Sequence, residues 1–287
     1  MSKPEPALLH SKGNILDISR PVVMGILNAT PDSFYNQGKG SDINGLLKLA
    51  EKMLDDGARI LDIGGASTKP GQRIISEEVE LERVIPVINA IHARFPEAWL
   101  SVDTYHSAVA VAAIEAGACM VNDVSSGRFD KNMLLSVSSL KVPYIAMHMQ
   151  GSPETMQVAP SYADVVKEVH AYLKDVCMQC DQSGISEIII DPGFGFGKTV
   201  AHNFSLLTGL HKFHDLGKLV LAGLSRKSMI CRTLGVSAEH ALNGTTALNM
   251  VALQQGANIL RVHDVKEAME VIRLYHELGN ASQLIYT

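Results

Sequence analysis

Residues 22–28 read VVMGILN, a nearly continuous apolar run that ends in an asparagine. Runs of this kind, without the alternation of a half-exposed strand, are typical of parallel strands covered on both faces. Seven similar runs follow, each leading into helical periodicity, as in Ser76–Phe95 and Val265–Leu278. The pattern predicts repeated strand–helix units with strands at Val22–Leu27, Arg59–Ile63, Trp99–Val102, Cys119–Asn122, Val142–Met147, Glu187–Ile190, Lys218–Leu221 and Ile259–Val262.

Eight units of about 30 to 36 residues account for nearly all of the 287 residues. The sequence therefore predicts a single α/β domain, a (β/α)8 TIM barrel over residues 21–287. Residues 1–20 precede the first barrel strand and are expected to form a short N-terminal cap or hairpin. No Pro/Gly/Ser-rich linker divides the remainder. A doubly wound parallel sheet is the structural alternative.

Composition restricts the possible partners. The chain has 25 basic and 30 acidic residues, a net charge of −5, and no basic run that could follow a phosphate backbone, so nucleic acid is not expected as a partner. Met1–His10 lacks the basic and apolar regions of a secretory signal, and the most apolar segment, Ala108–Val121, is interrupted by Glu115. We expect a cytoplasmic protein without a membrane span.

The four cysteines are too few and too scattered for a disulfide framework in a chain with its own core. Cys177 and Cys180 form a C-x-x-C, but they fall late in the helical pattern Tyr162–Gln182 without a second pair. We expect reduced thiols and ordinary helix positions.

A polar residue stands at or just after the carboxyl end of each predicted strand, where barrel enzymes build their active sites. Any one of them could simply cap the following helix. Eight in succession indicate a site: Asn28, Asp62, Asp103, Asn122, His148, Asp191, Ser225 and Arg261.

The chemistry of these residues favours a flat nitrogen heterocycle at the floor and a phosphate at the rim. Asp103, Asn122 and Asp191 can accept hydrogen bonds from ring N–H and amino groups. Lys227 only donates, and Arg261 can both stack on a ring and bind an anion. The oxygen donors also suit a hard cation, for which we expect Mg²⁺ carried with a diphosphate.

Seven separated segments resemble the dihydropteroate synthase family of pterin-binding enzymes, over almost the full chain. They are MGILNATPDSF (24–34), DIGGASTKPG (62–71), SVDT (101–104), MHMQG (147–151), DPGFGF (191–196), SRKS (225–228) and RVHDV (261–265). The resemblance implies a barrel that condenses 6-hydroxymethyl-7,8-dihydropterin diphosphate with 4-aminobenzoate, assisted by Mg²⁺, in a homodimer.

The resemblance also implies roles for individual residues. The pterin would be clamped by Asp103, Asn122, Asp191 and Lys227, with Met147 and Phe196 as apolar walls and Arg261 stacked on the ring. Asn28 would contact Mg²⁺ and diphosphate, and Arg261 and His263 would form the rest of the anion site. Thr68, Pro70 and Ser228 would surround 4-aminobenzoate, while Asp32 and Phe34 belong to a mobile first loop. The predicted catalytic set is Asp32, Thr68, Lys69, Lys227, Arg261 and His263.

Two positions depart from the family pattern. Lys69 stands where the family usually has arginine, and Ala66 stands where it often has glutamate. Lysine retains the charge but lacks the planar fork of arginine. Two rival functions stay open: a corrinoid-linked methyltransferase barrel that uses methyltetrahydrofolate, and a non-catalytic pterin-binding paralogue.

Two further features have competing interpretations. Residues 193–199, GFGFGKT, resemble a nucleotide-binding loop, but the Walker pattern requires glycine where Pro192 stands. We therefore do not expect a nucleotide there. His148 is as consistent with a packed structural histidine as with a general base, and it is not placed in the predicted catalytic set.

Overall fold

Eight parallel strands close into a barrel in the part of the chain that the computed structural model describes, residues 8–29, 43–66 and 75–285, with the backbone alone for 281–285. The strands are β1 (Leu8–Ser11), β2 (Asn14–Asp17), β3 (Val22–Asn28), β4 (Ile60–Gly64), β5 (Trp99–Asp103), β6 (Met120–Asp123), β7 (Tyr144–Met147), β8 (Ile188–Asp191), β9 (Leu219–Ala222) and β10 (Ile259–Val262).

Helices alternate with the barrel strands. They are α1 (Ile43–Asp55), α2 (Glu77–Arg94), α3 (Ser107–Glu115), α4 (Met133–Leu140), α5 (Val165–Gln182), α6 (Val200–Thr208), α7 (Ser228–Leu234), α8 (Leu242–Gln254) and α9 (Val265–Ile285), with 3₁₀ helices at Leu210–Leu216 and Ala238–His240. Strand order β3 to β10 follows the sequence, and β10 pairs with β3 to close the circle. The predicted barrel is confirmed, and the doubly wound sheet is wrong because the sheet has no edge.

The N-terminal hairpin closes one end of the barrel. Strands β1 and β2 pair antiparallel. Leu9, Leu16 and Ile18 are buried against the layer of barrel side chains at the amino-terminal ends of the strands. That layer is apolar and includes Met24 and Ile60. The polar site must therefore lie at the opposite end, where the strands end.

Strand bounds agree with the sequence prediction to within two residues. The largest difference is at β7, predicted from Val142 but formed from Tyr144. Pro143 has no N–H to donate, and Tyr144 is the first residue of this run that donates to the neighbouring strand, at Glu187 O.

Helix ends depend on capping. Helix α5 begins three residues later than its apolar pattern suggests, because the Asp164 side chain accepts from the backbone N–H groups of Val166 and Lys167. Cys177 and Cys180 are buried on this helix, and burial raises their thiol pKa values to about 11 and about 12. Thiolate chemistry is therefore disfavoured there.

In the described segments, no helix has both the length and the apolar character that crossing a membrane requires.

Candidate active site

The centre of the candidate site is an ion-pair network built from Arg261 of β10. Its Nε donates to Asp62 Oδ2 at 2.6 Å, and its Nη2 donates to Asp103 Oδ2 at 2.7 Å. Asn122 Nδ2 donates to the same Asp62 oxygen at 2.9 Å. The strand register also places Asp103 directly opposite Asn122 on β6 and opposite Gly64 on β4. Four strands thus contribute one connected polar floor.

The side chains of the floor are almost fully buried. Asp62, Asp103 and Asn122 are buried, and the Arg261 side chain is 18% exposed. Burial opposes the charge of Arg261, but the carboxylates of Asp62 and Asp103 outweigh it and raise the Arg261 pKa. Burial also raises the pKa of Asp103 to about 7, although Arg261 counteracts the shift. Removing either partner would leave a buried charge without compensation.

Two oppositely charged groups, Asp191 and Lys227, interact electrostatically beside the floor near the end of β8. Asp191 is buried, and its Oδ1 accepts from Gly193 N at 2.7 Å. Burial raises the Asp191 pKa, opposed first by the charge of Lys227. Burial lowers the Lys227 pKa to about 8, opposed by Asp191. Lys227 Nζ donates to Phe194 O and lies 4.8 Å from the ring centroid of Phe196.

Apolar side chains form one wall above these charges. Met147 lies opposite Asp191 in the β7–β8 register and is buried with Tyr105 and Met149. Phe196 packs against this cluster and is half-buried. Charged acceptors next to an apolar wall suit a flat ring with N–H groups at one edge.

The rim is formed after β9 and β10. Ser225 Oγ lies 3.0 Å from His263 Nδ1 and accepts from His263 N at 3.2 Å. Ser228, the first residue of α7, is exposed. Arg226 has a left-handed backbone (φ +56°) and donates twice to Asp264, at 2.9 and 2.6 Å, which ties the two rim loops together.

Asn28 ends β3 and is half-buried at the same end of the barrel. Its amide oxygen is a donor type that Mg²⁺ accepts. In residues 8–29, 43–66 and 75–285, no group of three or more His, Cys, Asp or Glu side chains could hold a metal ion.

The remaining predicted residues, Asp32, Phe34, Thr68, Lys69 and Pro70, lie outside the described residues. The structure brings together Asp103, Asn122, Asp191, Lys227 and Arg261 with the wall residues Met147 and Phe196. It places Asn28, Ser228 and His263 at the same carboxyl end of the barrel. No role follows from position alone, and the roles stay predictions.

His148 and Asp123 are both buried, and their side chains contact other groups of the protein. His148 is buried with its ring 4.9 Å from that of Tyr172, and burial lowers its pKa to about 2, far from the range of a general base. Asp123 accepts from Ser125 N, Gly127 N and the Tyr144 hydroxyl, so its carboxylate anchors the turn after β6.

Sequence reasoning missed the pairing of Asp62 and the position of Lys198. Asp62 was recognised as a strand-end acid, but its pairing with Arg261 joins residues 199 positions apart and requires the closed barrel. Lys198, set aside with the nucleotide-loop pattern, is buried against His148 and Gly193, which follow β7 and β8. The signal available for Lys198 was its place at the end of a glycine-rich stretch that follows a strand-end aspartate.

Fold and site together define a (β/α)8-barrel enzyme with a buried, acid-rich floor for a nitrogen heterocycle. Residues 24–263 match the family described as "Pterin binding enzyme". The chain is 46% identical over 277 residues to the dihydropteroate synthase of Escherichia coli K12, which covers 96% of this chain and 98% of that protein. The chain belongs to the dihydropteroate synthase family of pterin-binding enzymes.

Solved structures agree with this assignment. The Yersinia pestis dihydropteroate synthase, solved as a complex with a sulfonamide drug, superposes with a TM-score of 0.90 at 41% identity over 96% of this chain and all of that one. The Xanthomonas albilineans enzyme, solved with 4-aminobenzoic acid, gives 0.89 at 41% identity over 96% and 98% of the two chains.

Proposed function

We propose that this protein condenses 6-hydroxymethyl-7,8-dihydropterin diphosphate with 4-aminobenzoate, giving 7,8-dihydropteroate and diphosphate for folate synthesis. The observation that carries the proposal is the buried floor in which Arg261 pairs with Asp62 and Asp103 beside Asn122. A pterin presents ring N–H and amino donors on one edge, and buried carboxylates are the acceptors that match them.

In this proposal the pterin lies between the acid floor and the apolar wall. Asp191 and Asn122 accept from the pyrimidine edge, while Lys227 donates to a ring acceptor. Lys227 Nζ would exchange its bond with Phe194 O for that contact. The guanidinium of Arg261, held at Nε and Nη2, stacks on the ring and reaches the leaving diphosphate through Nη1.

The reaction follows a dissociative path. The C–O bond to diphosphate breaks first, and the electron-rich dihydropterin delocalises the positive charge left on the exocyclic carbon. The amine of 4-aminobenzoate then forms the C–N bond and loses a proton. No strong base is needed, and oriented charges stabilise the separated ions. Arg261 and His263 would bind the departing anion, and Asp32 would stabilise the cationic carbon.

Mg²⁺ is the proposed cofactor, and Asn28 is the residue that would hold it. When bound with diphosphate, the ion supplies charge neutralisation for the leaving group. Thr68, Pro70, Ser228 and Phe34 would complete the 4-aminobenzoate pocket, with Lys69 adding positive charge on the diphosphate side. Loop residues that exclude water would prevent hydrolysis of the cation to the alcohol.

We further propose a cytoplasmic homodimer and competition between sulfonamides and 4-aminobenzoate. Family membership supports both the dimer and the competition.

The test is a turnover assay with the two substrates and Mg²⁺. Wild type should form dihydropteroate, Arg261→Met should not, and Arg232→Met, a change at an exposed arginine on α7, should leave the rate unchanged. Pterin diphosphate binding without product would support the non-catalytic paralogue. Binding of methyltetrahydrofolate without any response to diphosphate would support the methyltransferase.

A further inference from the structure

The stretch after β8, residues 193–197, is held by side chains at every backbone carbonyl. The carbonyls of Gly193 and Phe196 accept from Lys198, and that of Phe194 accepts from Lys227. Those of Gly195 and Gly197 accept from Gln157 (2.6 Å) and the Tyr162 hydroxyl (2.9 Å). Loops normally leave many carbonyls to solvent, so this one is unusually constrained.

Lys198 is the centre of this arrangement. Its Nζ donates to Gly193 O at 2.8 Å and to Phe196 O at 3.1 Å, and it lies 3.0 Å from His148 Nδ1. The residue is 3% exposed. Because Nζ is enclosed by backbone and His148, Lys198 does not present its amino group to a nucleotide phosphate, as a Walker lysine would.

The contacts of Lys198 reach two predicted pterin residues. Gly193 N donates to Asp191 Oδ1 at 2.7 Å, so fixing Gly193 also fixes the carboxylate. Gly193 has φ +72°, and a Cβ there would lie 1.9 Å from His148 O. The ends of β7 and β8 thus meet backbone to backbone beneath the site, and Lys198 joins them. Its second carbonyl contact belongs to Phe196 itself.

Burying the charged amine of Lys198 is unfavourable in free energy, because the charge loses its hydration. Burial lowers the Lys198 pKa well below its ordinary range, opposed by the charge of Asp191. An apolar side chain of similar length would avoid that cost. The amine instead fixes the geometry of its surroundings, because an apolar residue could not hold two carbonyls and a histidine nitrogen at fixed separations.

We propose that Lys198 is a positioning residue that holds the Asp191 carboxylate and the Phe196 ring at the spacing of a pterin ring. This inference rests on the proposed function and adds a residue to it. Lys198 touches neither substrate in this account. Replacing Lys198 should therefore weaken the binding of the pterin and leave the binding of 4-aminobenzoate unchanged.

The first experiment compares Lys198→Met, which keeps the length and removes the donors, with Lys174→Met at an exposed position on α5. Circular dichroism and thermal unfolding establish that both are folded. We expect the KM for pterin diphosphate to rise at least tenfold in Lys198→Met, with the KM for 4-aminobenzoate within twofold of wild type. A folded Lys198→Met enzyme with unchanged pterin KM, or with both KM values raised equally, would overturn the proposal.

A second variant keeps the test decisive if Lys198→Met does not fold. Gln157 is exposed, so Gln157→Ala removes the bond to Gly195 O without opening the core. Its Kd for 6-hydroxymethyl-7,8-dihydropterin diphosphate, measured by calorimetry with Mg²⁺, should rise two- to fivefold, and an unchanged Kd would count against the positioning role. Wild type that fails to bind this compound would contradict the proposed function, whereas equal binding by wild type and folded variants would contradict only the role of Lys198.

Discussion

Arg261 and Asp103 are joined across the mouth of the barrel, from β10 to β5, by a bond of 2.7 Å between Nη2 and Oδ2. The two strands are separated by β3 and β4 in the barrel order. The same guanidinium binds Asp62 on β4, so one cation fixes two of the carboxylates that form the floor. One guanidinium therefore links three strands, β10, β4 and β5, at the carboxyl end of the barrel.

Arg261→Met should destabilise the protein as well as inactivate it. The substitution leaves the buried carboxylates of Asp62 and Asp103 without a cation, which costs about 3–5 kcal/mol in the free energy of unfolding. Urea unfolding of Arg261→Met and of the exposed Arg232→Met checks this, and equal midpoints for the two variants would show that the pair is not stabilising.

Asp191→Asn should reduce pterin affinity far more than it reduces stability. The amide oxygen can still accept from Gly193 N, but the charge-assisted contact with the ring is lost, at a cost of about 1.5–3 kcal/mol in binding free energy. Calorimetry with the pterin diphosphate measures it, with Asp175→Asn on α5 as the exposed control. Unchanged affinity in a folded Asp191→Asn protein would remove Asp191 from the clamp.

Glu80 should make stability depend on pH. It is fully buried in the first turn of α2, its Oε2 is 3.9 Å from His106 Nε2, and burial raises its pKa from 4.5 to about 8. Below pH 4.5 both folded and unfolded states hold the proton. Between pH 4.5 and 8 only the folded state holds it, so the free energy of unfolding falls as pH rises, by up to about 1.4 kcal/mol per pH unit.

Glu80→Gln keeps the shape but cannot ionise, so this decline should be reduced and the variant should be more stable than wild type at pH 8. Urea unfolding from pH 5 to 9 tests it, with the exposed Glu82→Gln as control. Parallel pH curves for wild type and Glu80→Gln would refute the buried-acid account.

4-Aminobenzoate should bind appreciably only once the pterin diphosphate, or diphosphate with Mg²⁺, is present. The predicted pocket includes Thr68, Pro70 and Ser228, and we expect the bound diphosphate to complete it. Titrations in both orders of addition check this. Tight binding of 4-aminobenzoate to the empty protein would contradict this order of binding.

Lys69 should act through its charge. Lys69→Arg should leave turnover within a few-fold, whereas Lys69→Ala should cost about 1–3 kcal/mol of transition-state stabilisation. A marked gain in Lys69→Arg would mean that a planar fork is needed. Steady-state kinetics with diphosphate inhibition decides it, and an unaltered Lys69→Ala enzyme would exclude any role for the side chain.

The apolar runs were sufficient to predict the barrel, because a strand covered on both faces has a composition that few other elements share. The strand-end acids Asp103 and Asp191 were predictable for the same reason, since their position follows from the strand bounds. The pairing of Asp62 with Arg261 was not, because it depends on closure between distant strands. Lys198 was missed because most of its partners are backbone carbonyls, whose positions cannot be read from the residue types.

The most direct measurement is the ratio of products in one reaction. Purified protein is given 6-hydroxymethyl-7,8-dihydropterin diphosphate, 4-aminobenzoate and Mg²⁺, and dihydropteroate and diphosphate are quantified together over time. We predict that both form at equal rates and that diphosphate release falls sharply when 4-aminobenzoate is omitted. Absence of dihydropteroate, with the pterin diphosphate bound and intact, would contradict the proposed function.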